Sequence, residues 1–165
     1  MMLEISAKVS ESKMTIKNHY SVLETSKHFT FPIVIRGAGK DADSVKFWNS
    51  KEWWLKNYGD EEVLCGYITR ESPFCTIREF FDLIDQGEAV YVSGGSSIFS
   101  RNPKLAAMVD SEEVMSLIEP EGCNRTATQL FMGLDSMGSD LHSALGCNVF
   151  RQVAGQKKWW FIPPS

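Results

Sequence analysis

The 165-residue chain predicts an α+β, mainly β fold, with helices in its N-terminal part and strands in the remainder. Three observations carry that expectation. Two segments, Ser44 to Tyr58 and Thr76 to Gly87, place apolar residues at helical spacing between capping residues. Short β-branched runs are closed by turn residues. From Thr126 onward the hydrophobic period changes to that of strands and ends in a hairpin about Gly155-Gln156.

Residues 1–30 are weakly patterned and carry no recognisable chemistry, so 31–165 is read as the domain. A hydrophobic content of 43% and an aromatic content of 12% suffice for a packed core. With 17 Lys plus Arg against 21 Asp plus Glu, the formal charge of −4 gives no general reason to expect nucleic acid or an anionic membrane as partner. No apolar run approaches the roughly 18 residues of a transmembrane helix, and Glu4 to Asn18 lacks the apolar stretch of a secretory signal. A cytoplasmic or nuclear location is the corresponding expectation. Cys65, Cys75, Cys123 and Cys147 form no Cys-x-x-Cys pair and read as reduced, mostly buried thiols.

Phe31-Pro-Ile-Val-Ile-Arg36 reads as a strand, closed by a turn at Gly37-Ala-Gly39. Ser44 offers an N-cap for a helix through Tyr58, with Val45, Trp48 and Leu55 near one face and Gly59 as the stop. The cluster Trp48, Trp53, Trp54 and Tyr58 is assigned to the core. Val63 to Thr69 is a second strand, and Thr76 caps a helix whose Ile77, Phe80, Phe81 and Ile84 recur at helical spacing before Gly87. Ala89 to Val92 is strand-like. Gly94-Gly95-Ser96-Ser97 is a loop lacking the lysine of a phosphate-binding loop. A short helix is expected over Asn102 to Val109, then a polar stretch from Asp110 to Asn124, then a β-rich segment from Thr126 to Leu134.

The segments Asn148 to Ala154 and Lys157 to Ile162 flank Gly155-Gln156, a two-residue connection whose leading glycine suits a type II′ turn. With Ala154 opposite Lys157, the pairs Gln152 with Trp159 and Phe150 with Phe161 share one face, and alternation adds Asn148 and Lys157 to it. A single straight strand from His142 to Ala154 would run roughly 40 Å, longer than strands usually are. A reversal near Ala144 to Gly146 is therefore expected, laying His142 near that face. The result would be a polar cluster of His142, Asn148 and Lys157 against aromatic walls, the makings of an anion or metal pocket. A lone strand histidine is ordinarily structural; an inward ammonium, however, calls for an anionic partner on the protein or on a ligand.

Phe31-Pro-Ile-Val-Ile-Arg-Gly, the tryptophan-rich helix ending in Tyr58-Gly-Asp60, Gln129-Leu-Phe-Met-Gly133 and Lys157-Lys-Trp-Trp-Phe-Ile-Pro-Pro164 together resemble a Jumonji-C, cupin-like domain over residues 31–165. The ordered set His142, Asn148, Gly155, Lys157 and Pro163-Pro164 carries most of the likeness. The resemblance implies a double-stranded β-helix (cupin, jelly-roll), present in part after N-terminal helices and closing about its fourth strand. It implies Fe(II) and 2-oxoglutarate as cofactors, with His142 as the metal ligand, Lys157 pairing with the distal carboxylate of 2-oxoglutarate, and Ser139 and Asn148 donating to it. The implied activity is dioxygenase hydroxylation of a protein side chain or a small molecule.

Two positions depart from that family pattern. Ala144 stands where the carboxylate ligand of the family would be, and no second histidine follows His142, since His19 and His28 lie upstream. The missing histidine is expected from a chain that stops partway through the barrel; Ala144 is not. Asp140 is a poorly placed substitute. The alternatives are a non-catalytic cupin-like binding or interaction module, and a halogenase-like site in which a halide takes the place that Ala144 leaves. A partial barrel also predicts self-association through open sheet edges.

Overall fold

The computed structural model describes residues 19–28, 32–66, 73–109, 112–118, 127–134, 137–140, 142 and 148–161. It is a mixed α and β structure, and among the described residues helices outweigh strands. The chain divides into two compact units, one formed by Asp41–Asp110 with Arg125–His142, the other by Met1–Lys40, Ser111–Asn124 and Ser143–Ser165.

In the first unit, α1 (Asp43–Phe47) and α2 (Lys51–Tyr58) replace the single helix expected from Ser44 to Tyr58. Capping chemistry explains the interruption. The Trp54 indole Nε1 donates to the Trp48 carbonyl at 3.0 Å, and the Ser50 hydroxyl accepts from the backbone N–H of Trp53 at 3.1 Å, so one helix is closed and another opened within three residues. Strand β1 (Glu62–Gly66) alternates exposed and buried side chains, with Val63 and Cys65 inward. It pairs antiparallel with β2 (Phe74–Thr76), matching Val63 with Cys75 and Leu64 with Phe74.

Thr76 opens α3 (Ile77–Asp85) through a complete capping box. Its hydroxyl accepts from the Glu79 N–H at 3.1 Å while the Glu79 carboxylate accepts from the Thr76 N–H at 2.8 Å. Ile77, Phe80 and Leu83 face inward as the helical spacing predicts. Strand β3 (Tyr91–Val92) pairs with the other side of β1, and β4 (Met132–Gly133) pairs with β3. All neighbours in the four-stranded sheet are antiparallel, in the order β2-β1-β3-β4. Two short helices, α4 (Ser97–Arg101) and α5 (Pro103–Ala107), follow β3. The core gathers Trp54, Val63, Phe80, Val92, Ile98 and Leu105, all essentially buried.

At the start of the expected Gly94-Gly95-Ser96-Ser97 loop, Ser93 and Gly94 form a β-bulge. Val92 pairs with Met132, whereas Gly95 exchanges both backbone hydrogen bonds with Leu130, at 3.0 and 3.3 Å. Ser93 and Gly94 thus face the single residue Phe131, and Gly94 absorbs the extra residue at φ +68°.

In the second unit, α6 (His19–Thr25) packs with α7 (Glu112–Ile118), with Val22, Val114 and Leu117 buried. The polar stretch expected over Asp110 to Asn124 therefore contains a helix, α7. The turn at Gly37-Ala-Gly39 is present, and the Arg151 guanidinium donates to the Gly39 carbonyl. Residues 32–35 belong to no strand. The expected hairpin is likewise without a ladder among residues 148–161, although Gly155 takes the positive φ of +70° that its turn requires. A two-stranded ribbon with Val149, Phe150, Trp160 and Phe161 exposed has little burial to hold a ladder together.

The reversal expected near Ala144 to Gly146, Phe31, Pro163-Pro164, Cys123 and Cys147 lie outside the described residues. Cys65 and Cys75 do not bear out the expectation of free thiols. Both are buried, and they form a disulfide.

Candidate functional site

Lys157 anchors the candidate site. Its ammonium nitrogen lies 4.5 Å from the centroid of the Phe150 ring and 4.7 Å from that of Trp159, within cation–π range of both. Phe150 and Trp159 meet edge to face at 4.9 Å, and Trp159 stacks on Phe161 at 6.0 Å. Lys158 sits over the Trp160 ring at 4.1 Å.

Strand-like alternation accounts for this sorting. Lys157, Trp159 and Phe161 share one side with Phe150, while Lys158 and Trp160 pair with one another; Phe150 meets Trp159 rather than Phe161, its partner in the expected register. The aromatic-lined face is thus present without the hydrogen-bonded ladder. Lys157 is half-buried; Asn148, predicted on the same face, is exposed. The Gln152 amide instead turns back to donate to the Ala154 carbonyl.

His142 and Ser139 belong to the sheet-bearing unit, and Asn148 and Lys157 to the other. His142 is exposed, with Nδ1 2.7 Å from the backbone carbonyl oxygen of Asp140. An Nδ1–H donates in such a contact, which leaves the lone pair on Nε2. Ser139 and Asp140 are exposed.

The donor set of the described residues does not fit an iron centre. Among the described residues no three His, Cys, Asp or Glu side chains converge, and the Ala144 methyl supplies no donor. His142 offers one imidazole nitrogen, too little for a stable divalent site.

Sequence reasoning missed the Cys65–Cys75 pair. Its signal lay in strand register: the two cysteines occupy inward positions on adjacent antiparallel strands, one step diagonal from each other. No helix among the described residues is long and apolar enough to cross a membrane. Compared with family models, with curated proteins and with solved structures, the chain matches none.

Proposed function

We propose that the chain is a Jumonji-type, cupin-like protein that binds a small dicarboxylate of the 2-oxoglutarate class, with Lys157 as the anchoring cation. The observation that carries this reading is the Lys157 ammonium held against Phe150 and Trp159. Two ring faces keep the cation in a defined place and away from part of its hydration. A carboxylate arriving there gains a charge-assisted hydrogen bond at a reduced desolvation cost. Asn148 supplies amide donors from a position of the same parity.

The reading includes a double-stranded β-helix, of which the four-stranded sheet β2-β1-β3-β4 would be one part. His142 has Nε2 as its available nitrogen, a single donor that does not by itself make a metal site. Hydroxylation of the Jumonji kind would require donors beyond these. A second reading, a binding module that keeps the anion-holding lysine and no working metal, is favoured by Ala144 and by the lack of a three-ligand cluster among the described residues.

Titration of the full chain with 2-oxoglutarate, with and without Fe(II), tests both readings. Binding of 2-oxoglutarate without iron supports the module, and iron uptake gained only in Ala144→Asp locates the loss of catalysis at that corner. Iron uptake by the unsubstituted chain favours the hydroxylase, and uptake that depends on chloride favours a halide at the same corner. Failure of both proteins to bind 2-oxoglutarate overturns the proposal.

A further inference from the structure

We propose that Cys65 and Cys75 form a reversible redox latch that holds the edge strand β2 on the sheet. This inference is independent of the dicarboxylate reading. The two residues face the same side of the β1–β2 pair, with Cα atoms 6.4 Å apart, and each is about 2% exposed. Strand β2 is three residues long and has β1 as its strand partner. Its hold on β1 includes the Cys65 N–H donated to the Pro73 carbonyl at 2.8 Å. The other face of the same hairpin is open, with Leu64 38% and Phe74 51% exposed.

A short edge strand with one open face opens locally at lower cost than the global fold. Both sulfurs therefore become reachable by solution thiols when β2 lifts. The sulfurs are shielded while β2 is docked, so exchange is gated by that opening.

The reaction is thiol–disulfide exchange with a low-molecular-weight disulfide such as oxidised glutathione. The two cysteine thiols lose two protons and two electrons, the Cys65–Cys75 bond forms as the oxidant's S–S bond breaks, and two oxidant thiols leave carrying the protons. Reduction runs the same exchange backwards. Closing this short loop lowers the entropy of the opened state, so the oxidised chain holds β2 more firmly.

The test equilibrates the full chain in glutathione buffers of graded potential, alkylates free thiols after acid quenching, and maps them by peptide mass spectrometry. Hydrogen exchange is followed on the same samples. The expected result is one two-electron transition joining Cys65 to Cys75, with Phe74–Thr76 amides exchanging on the order of ten-fold faster, or more, in the reduced chain. The reduced chain also melts roughly 5–10 °C lower. Cys65→Ser/Cys75→Ser abolishes the response, whereas Cys123→Ser/Cys147→Ser retains it. Mapping of the unsubstituted chain decides the matter even where a variant does not fold. Free Cys65 and Cys75 at every potential, a bond that resists reduction until the chain is denatured, or equal exchange in both states overturns the latch.

Discussion

The ammonium of Lys157 lies 4.5 Å from the centre of the Phe150 ring, and that contact joins the two arms of the Gly155-Gln156 turn. A ring face attracts the cation by roughly 0.5–2 kcal/mol, depending on how dry the site is. Phe150→Leu removes the ring quadrupole while keeping apolar bulk. The expected outcome is 2-oxoglutarate binding weakened by about 2- to 10-fold, read from Trp159 fluorescence; unchanged binding would show that Lys157 needs no aromatic wall.

Thr76→Ala removes a hydroxyl that accepts from the Glu79 N–H and leaves that donor at the first turn of α3 unmet. The expected loss is about 1 kcal/mol, seen as a fall of roughly 2–4 °C in thermal midpoint. Ser50→Ala removes the equivalent cap of α2 and has an effect of the same order.

Ser44 gives the opposite expectation. Its side-chain oxygen is buried without a hydrogen-bond partner among the described residues, as is the indole nitrogen of Trp48, four residues on. Ser44→Ala removes a desolvated hydroxyl that makes no bond, so stability stays level or rises by up to about 1 kcal/mol. Chemical denaturation of the two proteins measures the sign.

Tyr58 supplies a pH dependence. Burial first, and then the Glu61 carboxylate, raise its hydroxyl above the ordinary value of 10.0. The folded state thus prefers the neutral phenol. The associated stability is fully present below about pH 10 and is lost as the pH climbs through the raised value. Denaturation midpoints between pH 9 and 11 should fall more steeply for the parent chain than for Tyr58→Phe.

The helix from Ile77 was legible because its Thr76–Glu79 capping box and apolar spacing agree, and the face shared by Lys157, Phe150 and Trp159 was legible from alternation alone. Sequence reasoning passes over helix α7 although Val114, Leu117 and Ile118 recur at helical spacing, because the acidic residues and Gly122 around them make the stretch read as polar. The break between α1 and α2 is carried by Ser50, a capping residue hidden inside an aromatic run whose periodicity continues across it. The Cys65–Cys75 bond depends on strand register, which spacing along the chain does not reveal. Of the candidate site, the side shared by Lys157, Phe150, Trp159 and Phe161 is the part that the sequence made readable. The reversal expected at Ala144 to Gly146 lies outside the described residues, and no local rule specifies the geometry of such a turn.

The most direct measurement is calorimetric titration of 2-oxoglutarate into the full chain and into Lys157→Met, which keeps the length of the side chain and removes its charge. Binding by the parent chain that falls on the order of 10- to 100-fold in the variant is the predicted result, as expected for loss of a charge-assisted hydrogen bond. Equal affinities in the two proteins, or no binding by the parent chain, would contradict Lys157 as the anchor of a dicarboxylate.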